Sequence, residues 1–117
     1  MAEPARELPL FVHWMDFLEW LLLATEKFPK RVRFTFTSRI DGLALDVLED
    51  IIEARYSRAK TDILHRANLR LEKLRVLLRL CHRQRFFATA GYEHAARRID
   101  EAGRMVGGWL KQQGGRP

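Results

Sequence analysis

Between residues 62 and 85 the chain carries Arg66, Arg70, Lys73, Arg75, Arg79, Arg83 and Arg85, against Asp62 and Glu72. At helical spacing, Arg75, Arg79 and Arg83 run along one flank of an apolar seam, and Arg66, Arg70 and Lys73 along the other. A second group, Lys27, Lys30, Arg31 and Arg33, surrounds a proline, with Arg39 shortly after. Such groups suit phosphate. Forked guanidinium donors match phosphate oxygens, and each neutralised phosphate releases counterions. Sixteen arginines stand against five lysines, which favours the residue better at holding phosphate. The net charge of +6 points to acidic partners, nucleic acid before an anionic membrane. Charge alone leaves two other readings open: a solvated helix face, or pairing with the acidic run Asp41, Asp46, Glu49, Asp50 and Glu53.

Other chemistry finds less support. Asp62 and His65 stand three apart, as do His13 and Asp16. A di-iron bundle needs Glu-x-x-His on two helices and two further Glu residues, and His82 and His94 add no shared spacing. No metal and no cofactor is expected. Ser38 and Ser57 are the only serines and lie in no nucleophile elbow. Cys81 falls on an apolar seam, where a thiol is normally inert. As the lone cysteine it excludes an internal disulfide and a Cys-rich zinc site, and fits a reducing compartment. Gly103, Gly107 and Gly108 do not form a phosphate-cradling loop, because no strand precedes them and the spacing is of neither nucleotide-binding type. Gly91, Ala95, Ile99, Gly103 and Gly107 recur every four residues, a small face that lets another helix approach. Trp14, Trp20 and Trp109 could stack on bases, but helical core or subunit contact suits them better.

Four helices must position these groups, at about residues 9–27, 33–57, 62–85 and 90–112. Pro9 suits a first turn. Leu10, Phe11, Trp14, Phe17, Leu18, Leu21 and Leu22 form one face, while Val12, Met15, Trp20 and Leu23 make the helix apolar almost all round. Its acidic and histidine interruptions make it too short to span a membrane, and residues 1–7 lack the positive run of a signal sequence. Pro29 ends the helix by restricting Phe28. Phe36, Ile40, Leu43, Val47, Ile51 and Ala54 make the second stripe. Leu64, Ala67, Leu71, Leu74, Leu78 and Cys81 make the third, with Thr61 as its N-cap. Tyr92, Ala95, Ile99, Ala102, Val106 and Trp109 or Leu110 make the fourth. Residues 113–117 read as a frayed tail. The expectation is an all-α, single-domain protein over residues 1–117, an up-down-up-down four-helix bundle. Leu69, Val76, Leu77 and Leu80 point away from the third seam, and such a patch marks an interface. A homo-oligomer is therefore expected.

Several of these segments resemble a known family. Phe28, Pro29 and Lys30 with Arg33 and Phe34, the stretch ANLRLEKLRVLLRL at 67–80, and above all DEAGRMVGGWLK at 100–111 resemble Avd proteins, the accessory variability determinants of diversity-generating retroelements. The resemblance spans residues 8–112. Proteins of ribosomal RNA intervening sequences belong to the same wider group, but their second-helix motif is not matched by LDVLEDIIEARY at 45–56. The resemblance implies a homopentameric ring of basic four-helix bundles, bacterial or phage-encoded and cytoplasmic. It implies partnership with a reverse transcriptase and its template RNA, with DNA or cDNA as a further ligand, in mutagenic cDNA synthesis that the polymerase catalyses. Lys30, Arg33, Arg104 and Lys111 lie in the family's motifs, and Gly103, Gly107, Gly108 and Trp109 in its packing motif. The alternatives are a bundle serving as a protein scaffold, or an intervening-sequence type of protein without a polymerase partner.

Overall fold

A computed structural model describes residues 8–114. The described residues form four helices and no strand: α1 Pro9–Glu26, α2 Ser38–Tyr56, α3 Lys60–Arg83 and α4 Thr89–Gln112. A 3-10 turn, Lys30–Val32, and a π-helical turn, Arg33–Thr37, lead into α2. The four-helix bundle is as read from the sequence, and its directions follow from the cross-helix pairs. His13 bonds to Arg98, Asp50 to Arg66 and Arg70, and Arg75 to Asp100. As residue numbers rise on one helix they fall on its partner: Trp20 contacts His94 where His13 bonds to Arg98, Lys60 reaches Ala54 where Arg66 and Arg70 meet Asp50, and His82 stacks on Tyr92 where Arg75 meets Asp100, so α1/α4, α2/α3 and α3/α4 run antiparallel. The C-termini of α1 and α3 and the N-termini of α2 and α4 therefore share one end of the bundle.

The predicted seams face the core, apart from Leu22 of the first, which is 39% exposed. Leu64, Ala67, Leu71, Leu74, Leu78 and Cys81 are all buried, as are Ala95, Ile99, Ala102, Val106 and Leu110. Removing this apolar surface from water supplies the main drive to fold. Trp14 is fully buried, and its indole N–H donates to the Ala44 carbonyl at 2.9 Å, so its one polar group is satisfied where α1 crosses α2. Burial pushes the Cys81 thiol up to about 11, which keeps it protonated and unreactive.

Helix ends differ from expectation for identifiable reasons. Thr61 is not an N-cap: α3 begins at Lys60, after Ala59, with no side-chain cap. Lys60 instead reaches back, its ammonium donating to the carbonyls of Ala54, Arg55 and Ser57 at 2.8, 3.1 and 2.8 Å. It thereby closes the C-terminus of α2, whose last carbonyls lack helical partners. The third helix stops at Arg83, two residues early, because the chain turns in a Schellman motif. Phe86 N–H bonds to Cys81 O and Arg85 N–H to His82 O. Arg85 takes the left-handed position (φ 64°), where glycine is the usual residue. The tail prediction falls partly outside the described residues: Gln113 and Gly114 turn off α4, and 115–117 are not among those described.

The glycines of α4 need a corrected account. A Cβ at Gly91 would strike the Phe87 ring at 2.6 Å, but one at Gly103, Gly107 or Gly108 would meet nothing within 4 Å. No described helix approaches that face, so close packing among the four helices is not their reason. Glycine inside a helix costs about 1 kcal/mol relative to alanine. Gly103→Ala and Gly107→Ala are each expected to stabilise the isolated chain by about that amount, read from thermal unfolding at low protein concentration. A loss of stability instead would place another backbone against them.

Candidate nucleic-acid interface

The predicted cations divide into two sets. In the first half of α3 they meet carboxylates, and the alternative of pairing with the acidic run of α2 holds. Asp50 lies among the core residues, 1% exposed. Its Oδ1 accepts from Arg66 Nε at 2.9 Å and Arg70 Nη1 at 2.6 Å, and Arg66 also pairs with Glu53 at 3.0 Å. Hydrogen bonding to Asp50 holds Arg66 deeper in its charged range. Arg75 pairs with Asp100 across to α4. The expectation that Arg66, Arg70 and Arg75 stand free for phosphate is thus corrected: α2 and α4 supply their counter-charges. A buried carboxylate must be paired or it is very costly, so Arg66 and Arg70 tie α3 to α2 through Asp50, while Arg75 reaches the partly exposed Asp100 of α4.

The second set converges. Lys27 follows the end of α1, and Lys30, Arg31 and Arg33 lie on the two short turns before α2. Arg79 and Arg83 occupy the last turns of α3, with Arg85 on the reversal. Far apart in sequence, they share one end of the bundle, because antiparallel packing brings the α1–α2 and α3–α4 connections together. Aromatic contacts lock the two connections. Phe28 packs edge-on to Phe87 (centroids 5.5 Å) and close to Phe86, Phe36 meets Phe86 at 5.9 Å, and the Arg31 guanidinium lies over Phe86 at 5.1 Å. All seven cations are exposed, and none forms an ion pair with a described carboxylate. Glu26 and Glu93 are the nearby exposed acids in sequence. Arg83 also complements the helix dipole at the C-terminus of α3.

Other predicted residues lie apart. Lys73 is exposed midway along α3 and shares a groove of about 530 Å³ with Arg39, Leu43, Glu72, Val76 and Leu77. Arg104 and Lys111 lie toward the C-terminal end of α4, at the opposite end of the bundle. Leu69, Val76 and Leu80 are exposed at 56%, 42% and 40%, as a patch facing away from the seam should be. Leu77 departs from them and packs partly against the core. Trp109 is partly buried against the core and lines a pocket with Leu8, Leu10 and Met105. Trp20 contacts Phe17, Phe87 and His94. The first helix leaves Val12, Met15, Leu22 and Leu23 uncovered.

Among the described residues no group of three or more His, Cys, Asp or Glu side chains could hold a metal. None of their helices is long and apolar enough to cross a membrane. His13 is buried with Nε2 2.8 Å from the Arg98 carbonyl. His82 stacks on Tyr92 at 4.8 Å. Burial and the neighbouring Arg98 and Arg97 push His94 down, favouring its neutral form.

A family model described as bAvd-like matches residues 11–113, nearly the whole described chain. The chain belongs to the bAvd-like family. No curated protein matches it. In this bAvd-like protein seven cations without a described ion-pair partner are thus gathered at one end of the bundle, whereas Arg66, Arg70 and Arg75 are tied to neighbouring helices. Three features of the fold carry little or no signal in the sequence. Asp50 falls three residues after Val47, on the buried side of α2, which was its available signal. Phe34 lies off the Phe36–Ile40 stripe and so had to face outward. Arg85 carried no signal, since its conformation depends on the turn.

Beside this end, Thr25, Asp41, Arg33, Phe28 and Pro29 help line a pocket of about 310 Å³. Burial raises the pKa of Asp41, partly opposed by the hydrogen bond from Thr25 Oγ1 at 2.8 Å. A raised carboxyl pKa means the fold prefers the protonated form, so this contribution is present at low pH and lost as pH rises through the folded value. Asp41→Asn keeps the acceptor and removes the charge. It is expected to raise stability modestly at neutral pH and to flatten the loss of stability above the ordinary carboxylate range, read from urea midpoints across that range.

Proposed function

We propose that this bAvd-like chain is a non-catalytic accessory protein of a diversity-generating retroelement. It holds template RNA by its phosphates and associates with the reverse transcriptase during mutagenic cDNA synthesis. DNA or cDNA strands carry the same phosphates and are further ligands of the same surface. The observation that carries this reading is the convergence of Lys27, Lys30, Arg31, Arg33, Arg79, Arg83 and Arg85 on one end of the bundle without an ion-pair partner among the described carboxylates. Lys73, Arg104 and Lys111 add charge elsewhere. Recognition through phosphates and overall shape needs few base contacts. Polymerisation belongs to the reverse transcriptase.

The exposed patch Leu69, Val76 and Leu80 and the open glycine face of α4 support assembly into a homo-oligomer, with the pentameric ring being what the family resemblance implies. Ring assembly would multiply the positive ends and bind RNA through many weak contacts at once. The ion-paired half of α3 supports a structural, scaffold-like role for that segment alone. Co-expression with the element's reverse transcriptase and template RNA tests the proposal. A ternary complex whose cDNA yield falls when the accessory chain is withheld is the expected result. Undiminished cDNA synthesis without it, or failure of the chain to join either partner, overturns the reading.

A further inference from the structure

Phe34 is 88% exposed, the most exposed large apolar side chain among the described residues. The other phenylalanines of this end, Phe28, Phe36, Phe86 and Phe87, pack against one another. Phe34 faces the other way because it lies two residues before Phe36, about 200° around a helix. It sits on the π-helical turn Arg33–Thr37, an irregularity often found at functional sites. With Thr35, Phe36, Arg39 and Leu77 it lines a shallow groove of about 250 Å³ that carries no carboxylate. Lys30 and Arg33 precede it and Arg39 follows, all exposed and without an ion-pair partner among the described residues.

An uncovered aromatic ring among free cations is the arrangement that holds single-stranded nucleic acid. Cations track the phosphates, while the ring offers its face to whichever base arrives. We propose that Phe34 stacks an unpaired nucleobase, so that this end of the bundle takes single-stranded segments of RNA or DNA in preference to duplex. In a duplex the base faces are already covered by one another, and only the phosphate contacts remain. The cations and the absence of an acid from the groove favour a polyanion over an apolar protein segment as occupant. This inference rests on the phosphate-binding reading above and adds a ligand class to it.

The test compares a short unstructured RNA with its duplex by fluorescence anisotropy, using the full chain and Phe34→Ala, Phe34→Leu and Phe34→Trp. Phe34 is exposed, so the variants should fold, which circular dichroism checks. The alanine and leucine variants are expected to lose single-strand affinity on the order of 5- to 100-fold, with duplex affinity and the salt slope unchanged. Phe34→Trp should restore the affinity. A leucine variant that binds like the parent overturns stacking, because leucine keeps the apolar surface without the ring. Equal losses for strand and duplex also overturn it. So does unchanged RNA binding with lost association to the reverse transcriptase, which would make Phe34 a protein contact. If the parent chain binds neither RNA at moderate salt, the phosphate reading itself fails. If the parent binds and Phe34→Ala is indifferent, only the stacking fails.

Discussion

Reversing charge at the basic end, in Lys30→Glu/Arg79→Glu/Arg83→Glu, is expected to weaken RNA binding about a hundredfold near physiological salt and to leave folding intact. These residues are exposed and make no ion pair with a described carboxylate, so removing their charge costs the fold little. The choice of residues matters. A variant built along one flank of α3 from Arg75, Arg79 and Arg83 would mix two roles, because Arg75 holds Asp100 of α4. Replacing Arg75 by Lys30 confines the change to groups that face solvent. Anisotropy with a labelled structured RNA measures the binding loss, and the unfolding midpoint verifies the fold. Affinity retained in a folded triple variant would mean that phosphate is held elsewhere.

The opposite effect is expected from the Asp50 cluster. In Arg66→Met/Arg70→Met the Asp50 carboxylate, 1% exposed, loses both guanidinium partners and stays buried. Breaking a buried ion pair from one side costs about 3–5 kcal/mol, a large part of the roughly 5–15 kcal/mol that holds a typical domain together. Adding Asp50→Leu removes the stranded charge. The resulting triple variant should recover to within about 1 kcal/mol of the parent, since apolar replacement of a whole buried cluster is often neutral. The exposed Arg66–Glu53 contact adds little, as surface pairs do. Urea unfolding at one fixed protein concentration reads these differences without interference from assembly. RNA affinity should survive in the triple variant. Recovery of stability with lost RNA binding would return Arg66 and Arg70 to the phosphate site.

The two variant sets separate what charge patterning left merged. From spacing alone, Arg66, Arg70, Lys73, Arg75, Arg79 and Arg83 of α3 fall on two flanks of its seam with nothing to separate paired from unpaired, because a helical wheel shows which face a residue occupies but not what lies across from it. The apolar seam was legible for the same reason: Leu64, Leu71, Leu74 and Leu78 need only the period of their own helix to be placed inside. Asp50 needed the register of α2 against α3, which depends on how both seams interlock. The convergence of Lys30 and Arg33 with Arg79 and Arg83 needed the topology, since the two connections meet only after antiparallel packing. Trp14 was placed in the core by its period, but its partner, the Ala44 carbonyl, follows from the crossing of α1 over α2. The glycine run stands out in the sequence by its helix cost, which calls for a close neighbour. The open space around Gly103, Gly107 and Gly108 shows that the other described helices do not supply it.

The salt dependence of RNA binding goes most directly to the central claim. A basic end that works by neutralising phosphates must release counterions, so the logarithm of the association constant should fall linearly with the logarithm of salt concentration. Its slope counts the contacts, and in Lys30→Gln/Arg79→Gln/Arg83→Gln it should drop by about three. An affinity that stays level between about 50 and 200 mM salt, or a slope the variant leaves unaltered, would contradict phosphate binding at this end of the bundle.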